Sequence, residues 1–227
     1  MTIFKFALLR GIRGKDYLIN AVLPLVLIFI PVLWRGEAQQ GFYLMGLAIL
    51  WGASSIAKGI MLDKLDGTVI RILTTPTSML NYLTQNFFAS MIPLTVQMLI
   101  VTTIGTIMYN WQMTFAFFLF LCYTVFGMAS VALLFAWSCL FKSKETSNMM
   151  FGFIVMFAAM LGGFMLPLEL LPRTVQLIGA IFPAYWLSTG IAELLENGAT
   201  LTYWLSLGAI ILFAIAYLLY GGKRRII

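Results

Sequence analysis

From Met113 to Phe141 the chain reads MTFAFFLFLCYTVFGMASVALLFAWSCLF, 29 residues without one charged side chain. In hydrocarbon no water pairs with the backbone, so such a segment must satisfy its own amides, which an α-helix does at 1.5 Å per residue. A crossing needs roughly 20 mostly apolar residues, so this run is long enough to tilt or to reach beyond the lipid. Five comparable runs accompany it, at Tyr17–Trp34, Phe42–Leu62, Gln85–Tyr109, Met149–Leu166 and Thr202–Tyr220. Turn signals separate them: RGEAQQG at 35–41, YNW at 109–111, KSKETSN at 142–148 and ENGAT at 196–200. The expected fold is an all-α integral membrane protein of six spans. Six spans and their turns fill most of the 227 residues, so one membrane domain is expected over 1–227.

Composition agrees: only 10% of residues are charged, against about a quarter in soluble domains. The basic start followed by an apolar run from Tyr17 resembles a secretion signal. The run contains Pro24 and Pro31 and ends at Trp34-Arg35 without a small-residue cleavage site, so a retained first span is expected. Residues 1–16 lean amphipathic, with Phe4, Leu8 and Ile12 along one side, and are expected to form an interfacial helix.

Lys and Arg set the orientation. With both termini in the cytoplasm, twelve of the fourteen fall inside and only Arg35 and Arg173 outside. The expectation is a multi-pass protein of the cell (plasma or inner) membrane with both ends cytoplasmic. The net charge of +6 then describes a face turned to membrane lipid, not a nucleic-acid patch. The two cysteines, Cys122 and Cys139, lie about 25 Å apart along one helix, too far to pair, and read as packing residues.

Two stretches outside the spans stand out. The first, LDKLDGTVIRILTTPTS at 62–78, contains Leu65, Val69, Ile72 and Leu73 at helical spacing, Asp66 as a possible cap, and Pro76 as a stop. It predicts a short cytoplasmic helix over about 65–75. That helix either lies on lipid or docks in the groove of a soluble partner. The second, about 167–197, is too apolar for a solvated loop, yet contains Pro167, Pro172 and Pro183 together with Glu169, Glu193 and Glu196. It predicts either a re-entrant helical hairpin at the outer leaflet or a helix on the surface.

The motifs DGTVIRILTTPTS, with Asp66, Gly67, Thr68, Leu73, Pro76 and Ser78, and GGFMLPLELLP followed by Pro183, with Gly162, Gly163, Pro167 and Pro172, resemble those of type 2 ATP-binding-cassette (ABC) exporter permeases. The likeness extends over essentially the whole chain. It implies that the 65–75 helix is a coupling helix, with Leu65, Asp66, Gly67, Thr68, Val69, Ile72, Leu73 and Pro76 against an ABC ATPase subunit. It implies an outer re-entrant gate at Gly162, Gly163, Pro167, Glu169, Pro172 and Pro183. It also implies a route lined by the second and fifth spans, through Trp51, Ser54, Ser55, Phe153, Met156, Phe157 and Met160. Of these, Phe153, Met156, Phe157 and Met160 share one helical face with Met149 and Phe164, where Met suits varied apolar ligands. The same face could serve ordinary packing or lipid contact.

This chain is not expected to be an enzyme. A phosphate loop needs Gly-x-x-x-x-Gly-Lys and then a hydroxyl; GIRGKD places Leu9 at the first Gly position and Asp16 at the hydroxyl. ATP and magnesium are therefore expected in the partner ATPase, with no cofactor, catalytic residue or metal site here. No Asp, Glu or His falls in the middle of any span, which argues against a proton-driven carrier; Lys58, a turn from its span's end, can snorkel to the surface. The expected assembly has two ATPase subunits and either a second copy of this permease or a related one. The expected cargo is a hydrophobic or amphipathic compound: drug, antimicrobial peptide or lipid-like. The alternative is a channel, scaffold or assembly factor without ATP coupling.

Overall fold

The computed structural model describes residues 2–13, 15–35, 39–141 and 143–223. Its described residues form helices and no strand. The uncharged run is α7, Met113–Leu140, and it is the axis of the fold. It packs against α4 (Gln40–Leu65), α6 (Met79–Tyr109), α10 (Pro183–Glu196) and α11 (Leu201–Lys223). Its side chains make the middle of the core: Leu119, Cys122, Tyr123, Phe126, Ala129 and Phe135 are buried.

Local sequence explains the connections. Asn110 takes a left-handed conformation (φ 54°), which lets α6 and α7 reverse within three residues. The Ser78 hydroxyl accepts from the Asn81 amide at 3.2 Å and starts α6. The Ser143 hydroxyl does the same for Thr146 at the start of α8, Lys144–Leu161.

Among the described residues four helices, α4, α6, α7 and α11, are long and apolar enough to cross a membrane, and a bent pair, α9 (Arg173–Gly179) with α10, would make a fifth. The first and fifth of the six expected spans differ from expectation. The first is divided into α2 (Lys15–Ile28) and α3 (Pro31–Arg35). Pro31 has no N–H for the Leu27 carbonyl, and that oxygen accepts instead from the Trp34 indole at 2.8 Å and the Ile30 amide at 3.2 Å. The Tyr109 hydroxyl donates to the next carbonyl, Ile28, at 2.5 Å. The fifth expected span starts earlier than Met149 and stops at Leu161, where Gly162 and Gly163 end the helix. Ahead of these, α1 (Thr2–Arg13) packs along α6.

The bundle has two chemically distinct ends. At one, Trp34, Phe42, Tyr109, Trp111 and Phe115 form a ring cluster with centroids 5.0–6.1 Å apart. Arg35 lies 5.4 Å over Tyr109 and donates to the Met108 carbonyl. At the other end, where α4, α7 and α11 finish and α6 begins, are Lys64, Arg71 and Lys223. Lys64, Arg71 and Lys223 thus lie at the opposite end of the bundle from Arg35.

Candidate functional site

At the basic end, α4 stops at Leu65 and α5 (Thr68–Leu73) begins after a two-residue corner. Gly67 turns that corner with φ 70°, a left-handed conformation that a β-carbon disfavours. Asp66 is not the N-cap that its residue type suggested. It is the C-cap of α4, its amide bonded to the Leu62 carbonyl at 2.9 Å, and Gly67 precedes α5 without a side-chain cap. The helix is also shorter than 65–75. It ends at Leu73, and the hydroxyls of Thr74 and Thr75 turn back to the carbonyls of Arg71 and Ile72, at 2.6 and 2.5 Å. Pro76 follows in the turn.

The expected stripe is divided between two surroundings. Val69 is fully buried in the core and Ile72 packs on it, so that side of α5 is held by the protein itself. Helical periodicity identifies a face but not its neighbour, which is why Val69 looked available to a partner. The exposed apolar groups are Leu65 (45%) and Ile70 (56%), flanked by the exposed Asp66 and Arg71, while Thr68 is half-buried. The side chains of Leu73, Ser55 and Lys58 lie outside the described residues.

Two contacts not apparent in the sequence fix this corner. The Tyr82 hydroxyl donates to the Asp63 carboxylate at 2.6 Å, tying the end of α4 to α6. The Lys64 ammonium donates to the Phe141 and Cys139 carbonyls at 2.7 and 3.2 Å, an ammonium at the negative end of the α7 dipole. The end of α4, next to α5, is thereby tied to both α6 and α7.

A second surface runs along α8. Phe153 (58%), Met156 (61%), Phe157 (53%) and Met160 are exposed along one face, and Met149 continues it. Phe164, expected on the same stripe, lies beyond the helix end and turns inward, edge-on to Phe126 at 5.8 Å. Trp51 of α4 is exposed with its ring 6.4 Å from Phe151 of α8. Ser54 is buried and donates to the Trp51 carbonyl at 2.6 Å, so its hydroxyl is used within the helix.

At the aromatic end, α8 closes with Gly163 at φ 79° and with the Phe164 amide on the Ala159 carbonyl at 3.0 Å. A β-carbon at Gly162 would stand 2.4 Å from both the Ala158 oxygen and the Ala184 β-carbon, so α10 approaches because this residue has none. The buried Ser188 hydroxyl of α10 donates to the Gly162 carbonyl. Pro167 and Pro172 precede the 3-10 turn at 168–170 and α9, and Pro183 starts α10. Glu169 is exposed on that turn. The axes of α9 and α10 meet at 111°. Gln176, which nothing in the sequence singled out, holds the turn by donating to the Leu168 and Leu171 carbonyls at 2.8 and 2.9 Å.

Residues 39–222 match the family described as ABC-2 family transporter protein. The match begins next to α4 and runs almost to the end of α11, so it takes in all three surfaces. No curated protein matches the chain.

Proposed function

The chain belongs to the ABC-2 transporter family and is a membrane transport subunit, and on that premise we propose that it is the permease half of an ATP-driven exporter. ATP and magnesium act in a separate ABC ATPase subunit, and α5 is the contact through which that subunit moves the membrane helices. The observation that carries this reading is the construction of the α4–α5 corner. A helix meant only to lie on lipid needs no internal anchor, whereas α5 is locked by buried Val69 and follows an α4 end braced through Asp63 and Lys64, leaving Leu65, Ile70 and Arg71 outward.

In this reading the broken α2–α3 pair and α8 complete six crossings. The basic end faces the cytoplasm, as the charge bias favours. The α9–α10 bend dips into the outer leaflet as a gate. The exposed face of α8 with Trp51 meets a second permease, the same chain or a related one, and between them runs a route for hydrophobic or amphipathic cargo. The Met and Phe side chains there adapt to varied shapes and offer no charged site for an inorganic ion.

The test is reconstitution of the chain with its ATPase into sealed vesicles. A fluorescent amphiphile is expected to move away from the ATPase side only with ATP. Equal movement without ATP, or transport confined to inorganic ions, would contradict the reading.

A further inference from the structure

The aromatic end holds a cavity of about 470 Å³ between the α6–α7 turn and the end of α10. Its size falls in the usual range for small-ligand sites, roughly 300–1,000 Å³. Trp111, Phe115 and Phe118 form one wall; the last two are three positions apart on α7 and so share a face. Leu195, Gly198 and Ala199 form the other. Ring faces are electron-rich and attract cations, most of all cations without a tight hydration shell.

The opposite wall is lined by uncharged side chains, and the carboxylates of Glu193 and Glu196 adjoin it in sequence rather than line it. That wall is the C-terminal end of α10, the negative pole of that helix. Glu193 belongs to its last turn, and its carboxylate accepts from Thr200 at 2.6 Å and Asn197 at 3.3 Å across the loop that contains Gly198 and Ala199. Glu196 is exposed one turn-end away. Among the described residues no Lys or Arg lines the cavity, and Arg35 is occupied over Tyr109 and at the Met108 carbonyl.

We propose that this cavity binds a quaternary ammonium group borne on an alkyl chain, the ammonium against the three rings and the α10 end, the chain along the bundle. The same chemistry is present in a phosphatidylcholine headgroup and in a free cationic amphiphile. The site does not depend on the export reading, because binding needs neither ATP nor the ATPase.

The purified chain is titrated with hexyltrimethylammonium and, in parallel, with hexyl sulfate, by calorimetry in a neutral detergent. Saturable binding of the ammonium, at least about tenfold tighter than the sulfate, is expected. Phe118→Leu, which keeps bulk but removes a ring, and Glu193→Gln are each expected to weaken it about three- to tenfold, in line with one cation–π contact or one nearby charge. Glu196→Gln, at an exposed position that leaves packing intact, is expected to weaken it about twofold. Repeating the titration in phosphatidylcholine and phosphatidylglycerol nanodiscs identifies the source. Loss of binding only in phosphatidylcholine means the lipid headgroup holds the site, and retention in both means a free amphiphile does. Equal affinity for the sulfate, or unchanged ammonium affinity in Glu193→Gln and Glu196→Gln, would overturn the proposal.

Discussion

The Lys64 ammonium reaches the Phe141 carbonyl at 2.7 Å, joining the ends of α4 and α7 across 77 positions of sequence. Charge-assisted hydrogen bonds of this kind contribute roughly 1.5–3 kcal/mol. Lys64→Met keeps the stem and loses the ammonium that makes the bonds to Phe141 and Cys139. Amide exchange near 139–141 is expected to quicken, and ATPase binding to persist while ATP-driven transport falls, because the brace is lost and the docking face is not. Unchanged exchange and transport would show that the contact transmits nothing.

Tyr82 makes the matching brace on α6, its hydroxyl 2.6 Å from Asp63. Tyr82→Phe removes the hydroxyl that makes this bond and keeps the ring. Thermal unfolding in detergent is expected to show a loss of about 1–3 kcal/mol. A stability equal to wild type would mean that the bond adds nothing to the corner.

At the other end, Gly163 combines φ 79° with a β-carbon position 2.7 Å from Leu168. Gly163→Ala is expected to cost about 1–2 kcal/mol for the left-handed backbone alone, and more for the displaced Leu168. The measurement is again the unfolding midpoint, with Gly198→Ala as comparison. Gly198 has a similar φ of 81° but open space around it, so the difference between the two isolates the Leu168 clash.

Orientation has its own test. On a background of Cys122→Ala and Cys139→Ser, Thr174→Cys is expected to react with an impermeant thiol reagent added to intact cells. Thr74→Cys is expected to react only after permeabilisation. Both positions are exposed, so accessibility does not distinguish them. The opposite pattern would reverse the membrane orientation and place α5 outside.

The long helices were legible because an uncharged run of 20 or more residues has few alternatives in lipid. The division at Pro31 was harder to read. Proline is tolerated in membrane helices when other donors serve the freed carbonyl, and the shorter of the two bonds here, from the Trp34 indole, depends on the side chain's fold-dependent position. The corner at Gly67 shows the same limit. Asp66 has the chemistry of a cap, but the last turn of α4 takes its amide first. For the candidate site, the sequence located the α5 segment and the α8 face, since both are local patterns. It did not indicate that Val69 faces the core, nor that Asp63, Lys64 and Tyr82 act together, because those facts depend on the approach of α6 and α7.

The central claim is that an ABC ATPase grips the outward face of α5. Tagged wild-type chain and Ile70→Glu, purified from the native membrane at equal abundance, should differ in one respect. Burying an Ile-sized side chain is worth roughly 1.5–3 kcal/mol, so the variant should retain about tenfold less ATPase, or less still, with its unpaired charge against the partner. Ile70 is 56% exposed and outside the long helices, so insertion and folding should be unaffected. Wild-type chain that copurifies an ATP-hydrolysing subunit, with Ile70→Glu that does not, is the predicted result. Equal ATPase in both preparations would contradict the account.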